Sequence, residues 1–285
     1  MFATFFRGQP ARRPPTDHRY TLPPIMPLFR TAGTTIAYSV RGSGSIPVLC
    51  LAPGGMNSRA ANWKNQPYDP TSQLSDRFTV VAMDQRNAGN SRGPLGSGWD
   101  SMRDDQLALL DHLGIKECLL VGSCIGPSFQ LALMKHSPER FPAAVMMQPI
   151  GLARWTTEPD AWTGLNSHAS AHWFGGWASA MAASGRFEDR SLAQLYQAMF
   201  EEPDGRDFVF SVTRADVQQL TAHSLLIYMG SDVYHPSDTS RELAKLAPNA
   251  ALVERWKDEH YSARAVDLRI EDFLASHAGA CHSHS

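Results

Sequence analysis

One stretch constrains this chain more than any other: Gly122-Ser123-Cys124-Ile125-Gly126, set between an apolar run and a helical pattern. Upstream, Cys118-Leu119-Leu120-Val121 is a continuous apolar run of strand length, and with Glu117 it predicts a buried strand over 117–121. Downstream, Pro127 to His136 predicts a helix with Phe129, Leu131, Leu133 and Met134 as apolar contacts. Pro127 suits its first turn, where the missing N–H would have no helical partner. A chain that turns this sharply from strand to helix crowds the positions two before and two after the central residue. Gly122 and Gly126 relieve that crowding only if Cys124 is the centre, because centring on Ser123 would put Val121 and Ile125 there. Taken alone, the five residues leave two readings of Cys124 open. It is either a buried structural thiol in a tight loop or a nucleophile raised on the turn.

The 285 residues suffice for one α/β domain with an inserted subdomain. A net charge of −2 gives no ground for a nucleic-acid or anionic-membrane partner. No apolar run is long enough to span a bilayer. The four cysteines, Cys50, Cys118, Cys124 and Cys281, lack metal-ligand spacing. They read as reduced thiols of a cytoplasmic protein, with neither metal nor cofactor expected. Residues 1–26 are rich in proline and arginine with no apolar signal core, and are expected to form a mobile extension. Met26 is an alternative start to Met1, and residues 279–285 form a polar tail.

Short strands are expected within 27–41, then at 46–51, 78–83, 143–147, 223–229 and 250–256. Helices are expected at 101–113, with Ser101 as cap and Gly114 as stop, and at 263–275. The texture changes after Gly151. Residues 151–220 contain Trp155, Trp162, Trp173 and Trp177, and helical segments are expected near 172–184 and 191–201. Each tryptophan is best read as local packing, but together they predict an apolar roof over a site.

The strand–turn–helix around Cys124 resembles the nucleophile elbow of the α/β-hydrolase family, with cysteine in place of the usual serine. Other segments carry the same resemblance in the family's order. Asp84-Gln85-Arg86-Asn87-Ala88-Gly89-Asn90-Ser91 resembles the loop after the neighbouring strand, where Asp84 and Arg86 would brace the site and Asn87 would take left-handed backbone. Asp232, after a late strand, matches the family's acid, although the gap from Gly230 is one residue short. His260, after the last strand, stands where the catalytic histidine belongs. His235 sits in the acid's own turn and is assigned to the pocket lining.

The resemblance, covering about Pro27 to Ala275, implies a mostly parallel sheet flanked by helices. The core would be 27–150 and 221–278, and 151–220 a helical cap. It implies a triad of Cys124, His260 and Asp232 and an oxyanion hole from the N–H groups of Gly55 and Ile125, with Pro53 standing where the family often has His. Met56, Trp155, Trp173, Trp177 and His235 would contact a small, apolar or cyclic acyl substrate. A homodimer is left open.

A thiol beside a histidine at the head of a helix reacts as its thiolate. A thiolate also leaves a tetrahedral adduct more readily than an alkoxide or an amide anion. Acylation therefore goes forward best with a good leaving group, which predicts an activated ester, enol-lactone or thioester in preference to an amide. Acyl transfer to an alcohol or thiol is the second reading. A lyase or ligand-binding member of the fold is the third.

Overall fold

The apolar run before the elbow becomes the middle of an eight-stranded sheet. The computed structural model describes residues 26–31, 33–151, 174–201, 208–232, 234–257 and 263–279. Its strands are β1 (Leu28–Arg30), β2 (Thr35–Arg41), β3 (Pro47–Leu51), β4 (Thr79–Met83), β5 (Leu119–Ser123), β6 (Ala143–Met147), β7 (Ser224–Tyr228) and β8 (Ala250–Val253). They lie in the order β1-β2-β4-β3-β5-β6-β7-β8. β1 and β2 pair antiparallel at one edge, β2 also meets β4 antiparallel, and the remaining pairs are parallel.

Successive strand residues point to opposite faces, so each parallel strand feeds two cores. After a short α1 (Pro70–Gln73) come the two longer helices α2 (Trp99–His112) and α3 (Gly126–His136), toward which Leu49, Leu51, Leu120 and Met146 pack. Val48, Cys50, Val121 and Val145 pack with Trp63, Tyr68 and, from the last helix (Ala263–Ser276), Ile270 and Leu274. The parallel strands all end on one side, and the loops there carry the candidate site residues.

Gly114 ends α2 as expected, at φ 69°. Its start differs. The helix begins at Trp99, behind Gly98 at φ 118°, and Ser101 lies inside it. The cause is tertiary: the Trp99 indole donates to the Met199 carbonyl at 3.0 Å and packs edge-on against Phe129 and Phe200, drawing the first turn upstream.

Between β6 and β7 the chain leaves the sheet. Its described parts are a helix at 174–183, a second helix at Asp189–Tyr196 that runs into a π-turn at Gln197–Glu201, and a short helix at Arg214–Gln218. Phe174, Tyr196 and Phe200 form an aromatic cluster with centroids 5.0–6.1 Å apart, and Phe200 reaches Trp99 of the core at 5.9 Å. Among the described residues no helix is long and apolar enough to cross a membrane.

Candidate active site

Cys124 follows β5 directly and holds a left-handed backbone, φ 63°. A non-glycine residue pays about 1–2 kcal/mol for that conformation. The surroundings enforce it. A Cβ at Gly126 would lie 2.3 Å from the Leu51 carbonyl oxygen, and one at Gly122 would lie 2.8 Å from the Gln130 side chain and from the Gly126 backbone. The glycines are therefore needed as expected, with one refinement: Gly126 is crowded chiefly by the end of β3. Ser123 is buried at the end of β5, and its hydroxyl donates to Gln66 Oε1 at 3.2 Å. Cys50 and Cys118 are buried too, while Cys124 is partly exposed. Burial, with Asp69 and Cys118 adding to it, pushes the Cys50 thiol well up and leaves it inert.

The turn after β7 is compact because the chain folds back on Gly230, where a Cβ would meet the His235 carbonyl oxygen at 2.2 Å. Asp232 Oδ1 accepts the N–H groups of Tyr234 and His235, each at 3.0 Å, and lies 2.8 Å from His235 Nδ1. Lys257 Nζ lies 3.6 Å from Asp232 Oδ2 and also donates to Gln148 Oε1. Burial would raise the Asp232 carboxyl, but the His235 hydrogen bond and charge, with Lys257, bring it down to about 2.

The other nitrogen of His235, Nε2, is buried with no well-aligned partner among the described residues. Burial alone would lower the imidazole, yet the Cys124 charge, the Asp232 hydrogen bond and the contact with sulfur raise it to about 9. Loose alignment between nucleophile and base is usual without substrate. The structure thus brings together Cys124, His235 and Asp232. His260 lies outside the described residues, as do Trp155 and Trp173.

Gly54 and Gly55 both take positive φ, 122° and 58°, and open a short 3-10 turn. Among the described residues, no acceptor takes up the N–H of Gly55 or of Ile125, the residue that leads into α3. Met56, expected to touch substrate, is buried in the core on the α3 side of the sheet. Trp177 is buried, and its indole donates to the Asn87 carbonyl at 3.1 Å, tying the cap to the core. The bracing loop behaves as its sequence implied. Asp84 accepts from the N–H groups of Ala60 and Asn90, Arg86 grips Asp105 through two 2.7 Å bonds, and Asn87 is left-handed at φ 62°.

His235, expected to line the pocket, also bonds Asp232. Its signal was present in Asp232-Val233-Tyr234-His235, where the shortened loop leaves the ring three residues beyond the acid and facing back onto it. Among the described residues no group of three His, Cys, Asp or Glu could hold a metal ion.

The chain is 29% identical to 3-oxoadipate enol-lactonase 2 of Acinetobacter baylyi over 123 residues, 41% of this chain and 44% of that protein. It therefore spans less than half the length of that relative. It is 27% identical to the putative carbamate hydrolase RutD of Stutzerimonas stutzeri over 259 residues, 81% of this chain and 91% of that one. A meta-cleavage product hydrolase from Pseudomonas fluorescens superposes with a TM-score of 0.62 at 23% identity, covering 88% of this chain and 98% of that one, a likeness of fold. The profile of the alpha/beta hydrolase fold matches residues 47–221. By that match, and in keeping with the strand order and the Cys124 elbow, the chain belongs to the alpha/beta hydrolase fold family.

Proposed function

We propose that the protein hydrolyses activated acyl compounds, meaning enol or aryl esters, enol-lactones or thioesters, through an acyl group carried on Cys124. The observation that carries this reading is a partly exposed thiol on a left-handed residue at the head of α3, beside a buried imidazole nitrogen that lacks a well-aligned partner. His235 Nε2 accepts the Cys124 thiol proton, which leaves the sulfur a thiolate. The thiolate attacks the acyl carbon, a C–S bond forms, and the carbonyl electron pair moves onto oxygen, toward the N–H groups of Gly55 and Ile125. Collapse breaks the bond to the leaving oxygen or sulfur, which takes the His235 proton. Water then attacks the thioester while neutral His235 accepts its proton. Collapse releases the acid, and the departing sulfur takes the proton back from His235. Asp232 holds Nδ1 and steadies the charged ring throughout.

The base role goes to His235 because it already bonds the acid. His260, placed after the last strand, is the alternative, and the two are separated by single substitutions. Similarity to an enol-lactonase agrees with the leaving-group preference of a thiolate. Transfer to an alcohol or thiol acceptor needs the same groups, and product analysis with added alcohol distinguishes it. A lyase or a receptor would leave no acyl group on sulfur.

The test is mass spectrometry of protein quenched during turnover of p-nitrophenyl acetate and of an enol-lactone. An acyl mass on the Cys124 peptide is expected, with activity abolished in Cys124→Ala. Full activity in that variant would falsify the assignment.

A further inference from the structure

A cavity of about 660 Å³ opens between the cap helix at 174–183 and the loops after β3 and β4. That volume is typical of small-molecule sites. Three arginines line it: Arg59, Arg92 and Arg186. Among the described residues none of them pairs with a carboxylate. Arg186 Nη2 donates to Asn87 Oδ1 at 2.8 Å and to the Gly93 carbonyl at 3.3 Å, and Arg92 Nη1 donates to the carbonyls of Gly89 and Ser91, all neutral acceptors. Among the described residues Arg59 has no such anchor, and its Nε is buried without an acceptor. The carboxylate beneath Gly89, Asp84, already has one backbone N–H on each oxygen. Burial, and then the charge of Arg92, lower the pKa of Arg186, as expected for neighbouring cations. A partly buried guanidinium left without a partner is costly, and a carboxylate or phosphate answers it with two parallel hydrogen bonds.

We propose that this cavity is an anion subsite, where Arg59, Arg92 and Arg186 take a carboxylate or phosphate group carried by the substrate. The assignment to substrate rests on the acyl-transfer function proposed above, whereas anion binding does not. Its placement fits that role. Gly54 and Asn57, which line the cavity, precede and end the turn carrying the Gly55 N–H, and Trp177 supplies an apolar wall. A substrate reaching from this cavity to Cys124 would be apolar or cyclic at its middle and charged at one end.

Calorimetric titration of full-length Cys124→Ala protein with glutarate, and separately with inorganic phosphate, tests the anion site. Saturable binding of at least one is expected, weakened tenfold or more in Arg59→Met and in Arg186→Gln; tighter glutarate assigns a carboxylate, tighter phosphate a phosphoryl group. Binding of neither, or binding indifferent to both substitutions, overturns the site. Kinetics on an otherwise active enzyme tests its use. The ratio of kcat/KM for p-nitrophenyl hemiglutarate to that for p-nitrophenyl butyrate should fall at least tenfold in Arg59→Met and recover in part in Arg59→Lys. An unchanged ratio overturns the substrate role. If glutarate binds but no acyl group is ever trapped on Cys124, it is the catalytic reading that fails and the anion site that stands.

Discussion

His235 Nδ1 lies 2.8 Å from Asp232 Oδ1, and the two residues belong to one short turn whose backbone N–H groups bond the same oxygen. Acid and imidazole are therefore held to one another locally, without help from a second loop. His235→Asn is expected to lower kcat/KM by about 10²–10⁴ on p-nitrophenyl acetate, the usual range for losing a general acid–base group. His260→Asn should cost less than about tenfold on the same scale. The reverse ranking would return the base role to His260.

The pH dependence follows from the same pair. His235 is raised from an ordinary 6.5 to about 9, so the charged ring's contribution to stability is complete below about pH 6.5 and is lost as pH rises through 9. Asp232 works in the opposite sense. Lowered to about 2, it contributes above its unfolded value and loses that only as pH falls toward 2. Histidine NMR should show His235 titrating near 9 in the wild type and lower in Cys124→Ala, which removes the sulfur's charge. The gap in urea midpoint between the wild type and His235→Asn should narrow from pH 6.5 to 9. A His235 resonance that titrates alike in both proteins would remove the thiolate from the account.

Gly126→Ala should destabilise the fold by about 2–3 kcal/mol, because its methyl must displace the Leu51 carbonyl, a backbone atom with little room to yield. Gly114→Ala is the control. It has a positive φ but nothing within 4 Å of an added Cβ, so only the conformational cost of about 1 kcal/mol applies. Urea denaturation of both variants measures the difference. Equal losses would mean that crowding at the elbow contributes nothing.

Trp177→Phe keeps a ring in place but removes the donor to the Asn87 carbonyl, at a cost of about 0.5–1.5 kcal/mol. The bond joins cap to core, so the loss should appear as faster limited proteolysis within 174–201 and little change in the core's unfolding. Unchanged cleavage would show that the aromatic cluster around Phe200 holds the cap by itself.

Much of this arrangement was legible in the residues. The strand–turn–helix at Cys124 could be read because steric exclusion is local: only one centring of five residues puts glycine at both crowded positions. The parallel strands were visible as unbroken apolar runs, and Asn87 was marked by its tolerance of left-handed backbone. The helix start at Trp99 could not be read, because it is decided by Met199 and Phe200, about a hundred residues away. The contact of His235 with Asp232 was hidden by family order, which drew attention to the position after the last strand. The arginine cavity was invisible for a different reason: Arg59, Arg92 and Arg186 come from three segments with no common pattern.

The contact between Gly126 and the Leu51 carbonyl reaches beyond the elbow it explains. β3 leads within a few residues to the Gly54–Gly55 turn, while α3 begins at Gly126. The two amides proposed to receive the developing charge are thus spaced by one backbone-to-backbone abutment that owes nothing to the cap. Helices between β6 and β7 could be exchanged for others, altering which molecules are admitted, while the reacting geometry stays put. For protein engineers, the scaffold is a fixed reactor with a replaceable door.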